Sequence, residues 1–219
     1  MTAASLHPSL LQRLQELSSG SRRLLGIVGA PGSGKSTLAT LAVQALGERA
    51  QAVPMDGYHL AQSELIRLGT ADRKGAPHTF DAAGYSALLR RLKQQPASEV
   101  VYAPDFRRDL EEPIAGTLPV FAQTPLVITE GNYLLLEEGP WAPVTGLLDE
   151  VWFLSVAPAL RLERLVLRHM QFGRSRAQSM DWIANNDALN AQVVEASAPR
   201  AHRQVHWNEA QAIYQFSDL

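Results

Sequence analysis

The run Gly29-Ala30-Pro31-Gly32-Ser33-Gly34-Lys35-Ser36-Thr37 has the spacing G-x-x-x-x-G-K-[ST], which builds a cradle for the phosphates of a nucleotide. The glycines let the backbone curl, so that successive N–H groups point inward at an anion. A helix starting at the end of the run adds unpaired N–H groups and the positive end of its dipole. Lys35 then reaches the β- and γ-phosphates, and the Ser36 hydroxyl becomes a ligand for Mg²⁺. The rest of the chain is poor in lysine, with only Lys74 and Lys93 beside Lys35 against 17 arginines.

Two carboxylates and a set of arginines are candidates for the chemistry on a bound phosphate. Asp56 follows Gln51-Ala52-Val53-Pro54-Met55, a short strand candidate weakened by its proline. Such an aspartate can accept the proton of an attacking hydroxyl, although Asp56-Gly57 is also an ordinary turn pair. Glu130 ends the apolar run Leu126-Val127-Ile128-Thr129 and has the position of an acid that holds Mg²⁺, directly or through water. Arg161, Arg164 and Arg168 recur at i, i+3, i+7 and run into Phe172-Gly173-Arg174-Ser175-Arg176. A charged stripe is usually a solvated helix face. Here the stripe runs into a hinge-like turn with two more guanidiniums, and arginines of a mobile lid there would close over the transferring group and exclude water.

These residues need a scaffold that brings loop ends together. Leu24-Leu25-Gly26-Ile27-Val28, residues 51–55, Val100–Ala103, Leu126–Thr129, Val151–Val156 and Ile213–Phe216 read as strands. Between them, helical periodicity predicts helices over 6–19, after Lys35, over 60–69, from an N-cap at Asp81, over 159–172 and over 179–197. Strands alternating with helices give a doubly wound, mainly parallel α/β sheet flanked by helices. Ligands of such sheets sit beyond the carboxyl ends of the strands, where the loop at 29–37, Asp56 and Glu130 all fall. The segment from Pro104 to Gly116 reads as an irregular loop or a projecting hairpin.

With 219 residues, 46% of them hydrophobic, the chain can bury a core, and one domain over 1–219 is expected. A net charge of −2 gives no footprint for nucleic acid. The chain has no cysteine, which excludes disulfides and thiol chemistry. No secretory signal or membrane-spanning run is evident, so a cytoplasmic location is the default. His59, His78 and His169 lack metal-ligand spacing and read as surface or hydrogen-bonding histidines.

The pieces together resemble the superfamily of uridine kinase, phosphoribulokinase and bacterial pantothenate kinase, and within it the nucleoside/sugar kinase branch that includes fructokinase-like members. The resemblance rests on G-A-P-G-S-G-K-S-T at 29–37, M-D-G-Y-H-L at 55–60, R-K-G-A-P-H-T-F-D at 73–81, E-G-N-Y-L-L-L at 130–136 and the stretch from R-H-M-Q-F-G-R-S to N-A over 168–191. It implies a P-loop NTPase fold and transfer of the γ-phosphoryl group of ATP, with Mg²⁺, to a hydroxyl of a small molecule. By that resemblance Asp56 matches the base, Arg164, Arg168, Arg174 and Arg176 match the arginines of a lid over about 164–180, and Lys35, Arg168 and Arg174 share the catalytic work. Asp56, Tyr58, His59, Arg73 and Phe80 fall in the acceptor-binding segments, about 56–81 and 102–117. At Ala103-Pro104-Asp105-Phe106-Arg107-Arg108 the chain has Arg107 where that branch is expected to carry an aspartate, and Asp105 is the candidate to compensate.

A phosphate-free nucleoside or sugar is the leading acceptor, with pantothenate or glycerate as alternatives, and a homodimer is an expected assembly. The competing class is a nucleotide-hydrolysing switch. Against it, the chain has no N-K-x-D motif and no glutamine evidently placed to orient water.

Overall fold

The structure is a computed structural model that describes residues 4–217, so the ends of the expected 1–219 domain, at 1–3 and 218–219, lie outside the described residues. The elements are β1 (Ser5–Leu6), α1 (Pro8–Leu17), β2 (Arg23–Val28), α2 (Lys35–Leu46), β3 (Ala50–Ala52), α3 (Gln62–Leu68), α4 (Ala82–Lys93), β4 (Val100–Arg107), β5 (Glu112–Phe121), β6 (Leu126–Gly131), α5 (Ala142–Thr145), β7 (Glu150–Ser155), α6 (Pro158–Gln171), α7 (Arg176–Trp182), α8 (Ala188–Ala196), β8 (Arg203–Asn208) and β9 (Ile213–Phe216). The main sheet has the order β1-β9-β8-β7-β2-β6-β3. Strands β3, β6, β2, β7 and β8 run parallel, and β9 is antiparallel to β8.

Sequence explains the centre of this sheet. All of β6 and all but the first residue of β2 are buried, as expected for parallel strands covered on both faces. Alternation along β2 sends Leu24 and Val28 to one core, where they join Tyr85, Leu89 and Leu92 of α4. Leu25 and Ile27 face the other core with Leu10 and Leu14 of α1 and Leu38 of α2. Helix α4 starts as the sequence predicts, with the Asp81 carboxylate accepting from the Gly84 N–H at 2.8 Å as an N-cap.

The periphery departs from the reading of the sequence. Strand β8 was not expected, because R-Q-V-H-W-N buries only Val205 and carries no apolar run. The segment after Ala103 is a hairpin: β4 continues to Arg107 and pairs antiparallel with β5, apart from the main sheet. Its register shifts between Ala103 and Asp105, at Pro104, which has no N–H to give to a ladder. Residues 176–196 run on as helix, but with one wide turn over Ile183–Asp187 between α7 and α8. Such a turn inserts a residue into the helical repeat and re-aims neighbouring side chains; here Asn186 and Asp187 become buried. No helix among the described residues is long and apolar enough to cross a membrane.

Candidate active site

The loop from Gly29 to Gly34 joins the carboxyl end of β2 to the first turn of α2, so Lys35 opens the helix as the spacing predicts. Gly34 has φ +90°, and a Cβ there would lie 2.9 Å from the Tyr214 hydroxyl; only glycine takes this backbone without strain. The Tyr214 hydroxyl in turn donates to the Gly34 carbonyl at 3.3 Å, and Arg164 donates to the Ser33 carbonyl at 3.1 Å. The loop is thus held from outside by β9 and α6. Ala30 and Ser33 are buried and Thr37 is exposed on the first turn, while Pro31, Lys35 and Ser36 line a cavity of about 470 Å³.

Two carboxylates face this cavity from neighbouring positions. Strand β6 lies between β2 and β3, with Ile27 opposite Glu130 and Ala52 opposite Ile128. The Asp56 strand is therefore one place removed from the strand that carries the P-loop, and Glu130 occupies the place between. Glu130 is buried and accepts from the Ser36 hydroxyl at 2.7 Å. Asp56 sits on a single tight turn, Met55–Tyr58, just past β3. A buried chain of hydroxyls fixes the start of that turn: Tyr85 donates to Thr129 Oγ1 at 2.5 Å, and Thr129 donates to the Val53 carbonyl at 2.6 Å. On the other side a Cβ at Gly57 would run into the Pro104 carbonyl oxygen. Glycine there lets β4 pack directly on the turn, which brings Phe106 to His59 and Arg108 to Asp56.

The charges in the cavity act on one another. Burial pushes the Glu130 carboxyl up, against the pull of Lys35 and the Ser36 hydroxyl. Burial pushes Lys35 down, opposed by Glu130 and Asp56. For Asp56, burial acts upward, but His59, Arg108, Lys35 and Arg168 together hold it below the usual carboxylate range. Its direct partner is Arg108, at 3.2 Å. His59 Nδ1 donates to the Asp56 carbonyl at 2.8 Å, and the ring packs between Phe80 and Phe106, 4.0 and 4.7 Å from their centroids.

The opposite wall is built by α6 and the helix that follows it. Arg168 and Arg174 line the cavity. Arg174 Nη1 donates to His169 Nδ1 at 2.9 Å, and its guanidinium lies 4.1 Å from the Trp182 ring centroid. Because arginine only donates, His169 Nδ1 must accept, leaving Nε2–H to donate to Asp187 Oδ2 at 2.8 Å. The wide turn that buries Asp187 thereby orients Arg174 through a neutral imidazole. The same turn latches the loop after α3, since Asn186 donates to the Asp72 carbonyl at 2.7 Å and Arg73 donates to the Asn185 carbonyl at 2.6 Å.

Of the residues singled out in the sequence, Lys35, Ser36, Asp56, His59, Phe80, Glu130, Arg168 and Arg174 meet in one cavity. Five of the residues assigned to the lid or to the acceptor do not line it. Arg164 braces the back of the P-loop, and Arg176 is exposed as the first residue of α7. Arg73 turns outward to Asn185, and Tyr58 packs edge-on against Tyr85 at 5.4 Å. The Asp105 carboxylate folds back to accept from the Phe106 N–H at 2.9 Å, so it does not stand in for the aspartate missing at 107. Arg107 pairs with Asp109 on the surface. Lys74, Phe106, Arg108, His169 and Asp187 line the cavity without having been assigned to it. The scarcity of lysine was the available signal for Lys74; His169 and Asp187 lie in the matched stretch 168–191, and Phe106 and Arg108 in the acceptor segment 102–117, with no mark of their individual roles.

No family model matches the chain. It is 33% identical over 203 residues to a Schizosaccharomyces pombe protein whose name carries a provisional uridine kinase assignment, with 87% of this chain and 86% of that protein covered. It is also 33% identical over 205 residues to the uncharacterised protein YggC of Escherichia coli, covering 91% and 84% of the two chains. Among solved structures, a Silicibacter protein provisionally titled a fructose transport system kinase superimposes with a TM-score of 0.81 at 36% identity, covering 91% of this chain and 98% of that one. Sequence and fold together show that the chain belongs to the uridine-kinase-like family of P-loop kinases.

Proposed function

We propose that this protein transfers the γ-phosphoryl group of ATP to a hydroxyl of a small molecule of the nucleoside or sugar class. The observation that carries the reading is the convergence of Lys35, Ser36, Asp56 and Glu130 on one cavity closed on the far side by Arg168 and Arg174. The site fits a polyphosphate with its metal. Ser33 Oγ and Asn132 Oδ1 are buried without partners among the described residues, and the Ser36 hydroxyl and Glu130 carboxylate are already together as hard oxygen donors. Ser36 and Glu130 would hold Mg²⁺, which neutralises charge on the phosphates when bound.

In the reaction, the acceptor oxygen forms a bond to the γ-phosphorus while the bond from that phosphorus to the β,γ-bridging oxygen breaks, and ADP leaves. Asp56 orients the attacking hydroxyl and takes its proton. Lys35 holds the phosphate oxygens, and Arg168 and Arg174 offset the charge spread over the transferring group. Arg164 and Arg176 have no direct part: the first supports the P-loop and the second is solvated.

The test is Asp56→Asn, nearly isosteric but unable to accept the proton. Binding of ATP should be unchanged, while acceptor-dependent kcat falls by about 10²–10⁴. Lys35→Ala should instead weaken ATP binding. Full acceptor-dependent turnover in Asp56→Asn would remove the base from this scheme, and ATP consumption indifferent to any acceptor would favour a hydrolysing switch.

A further inference from the structure

Two cations at the acceptor end have no role once Lys35, Arg168 and Arg174 are given to the phosphates. Lys74 comes from the loop after α3 and Arg108 from the turn between β4 and β5. Both line the cavity, with the Lys74 Nζ 5.5 Å and the Arg108 guanidinium 5.9 Å from the centroid of the Phe106 ring. Lys74 donates to the Glu111 carbonyl at 2.6 Å and to Gln62 Oε1 at 3.3 Å. Both acceptors are neutral, and among the described residues no carboxylate comes within ion-pair distance of Lys74. Glu112, nearby, accepts instead from the Gln62 N–H at 3.0 Å, and the exposed Glu111 side chain lies at the cavity edge. Arg108 has one ion pair among the described residues, Asp56, the group that must be free to receive the acceptor's hydroxyl. A half-buried ammonium and an exposed guanidinium, each within 6 Å of the centroid of one aromatic ring and both lining the cavity, suit an anion held by charge-assisted hydrogen bonds.

We propose that the acceptor carries one anionic group, a carboxylate or a phosphate monoester, gripped between Lys74 and Arg108, and that this grip draws Arg108 away from Asp56. The inference rests on the kinase reading above and narrows it. Two cations with Glu111 at their edge match a single anionic group, which replaces the expectation of a phosphate-free acceptor. It also gives the Asp56–Arg108 pair a purpose. Arg108 pairs with the base in the structure, and the correct acceptor supplies Arg108 with another partner and releases the carboxylate as the hydroxyl arrives.

The experiment compares matched acceptors with Mg·ATP: ribose, ribonate and ribose 5-phosphate; glycerol, glycerate and glycerol 3-phosphate; uridine and uridine 5′-monophosphate. Turnover is expected only with anionic members, and the ribonate and phosphate arms separate a carboxylate from a phosphate. For the acceptor used, Lys74→Met should raise KM by about 10–100-fold, the worth of a hydrogen bond to a charged group, and Lys74→Arg should recover most of it. The affinity for a non-hydrolysable ATP analogue should be the same in all three proteins. A neutral compound turned over as well as its anionic partner, or an unchanged KM in Lys74→Met, overturns the inference. If none of these compounds is phosphorylated, the analogue-loaded wild type must gain more thermal stability from inorganic phosphate than analogue-loaded Lys74→Met; equal shifts overturn it as well. Failure of the kinase reading looks different: the analogue does not bind, or ATP is consumed without regard to acceptor.

Discussion

Asp56 is surrounded by His59, Arg108, Lys35 and Arg168, and their combined field outweighs the burial that would otherwise raise it. A carboxylate held this low is a weak base. Its contribution in a loose phosphoryl transition state, where the proton moves late, is then to orient the hydroxyl as well as to take its proton. The field also sets the pH dependence. The base works while ionised, so kcat/KM is expected to fall as pH drops through its pKa, with the wild-type acid limb below that of an ordinary aspartate. Arg108→Met removes one of the cations that depress Asp56, so the limb should move to higher pH. A profile of kcat/KM against pH for the two proteins checks this, and an unmoved limb would show that Arg108 does not act on Asp56.

Helix α6 shows how far a regular charge stripe can be read. Its three arginines at i, i+3, i+7 share one side, as the sequence indicates, but each meets a different partner. Arg161 is buried against Glu195 of α8, Arg164 holds the Ser33 carbonyl and lies 5.6 Å from the Trp207 ring centroid, and Arg168 enters the cavity. Periodicity gives the face; only packing against α8, β8 and the P-loop assigns the individual roles. Arg168→Ala is expected to lower kcat by about 10²–10³-fold, the usual loss for one preorganised donor to developing charge, with a much smaller rise in the KM for ATP. Arg176→Ala, on the exposed first turn of α7, should stay within about twofold of wild type. Steady-state kinetics at varied ATP separate the two, and equal rates for both would return the stripe to a solvated helix face.

Across the whole molecule, the ends of the sheet have different work. Beyond the carboxyl ends of β2, β6 and β3 lies the cavity. Elsewhere, Glu150 at the start of β7 is buried and gathers Arg13 of α1 at 2.5 Å, Arg203 of β8 at 2.9 Å and the Trp152 indole N–H at 2.7 Å. This cluster ties the N-terminal helix and an outer strand to the central sheet. Burial acts upward on Glu150, but Arg13 and Trp152 hold it below its ordinary value. Its stabilisation is therefore complete above the unfolded carboxylate range and is lost as pH falls through the lowered folded value. Glu150→Ala leaves the indole N–H and two guanidiniums without their acceptor. It should destabilise the fold by about 2–4 kcal/mol, less than for a fully buried pair because Arg203 is partly solvated. Denaturant unfolding measures the loss, and ATP affinity of the folded variant should not change.

The sequence by itself determined the P-loop, the central strands and the Asp56 and Glu130 positions. Each of these is a local pattern: a fixed spacing of glycines before a lysine and a hydroxyl, an apolar run bounded by a carboxylate, a helix with its cap. Residue type and period are enough to specify such features, because the backbone geometry that they require is contained within a few residues. The tertiary structure decided what meets what. It put β6 between the other two strands and turned Arg73 and Asp105 out while turning Lys74 and Arg108 in. It also linked Asp187 to Arg174 through His169. Those outcomes depend on a hairpin packing on Gly57 and on one wide helical turn after Trp182. Both join segments that are far apart in the chain, so no local signal in the sequence encodes the contact.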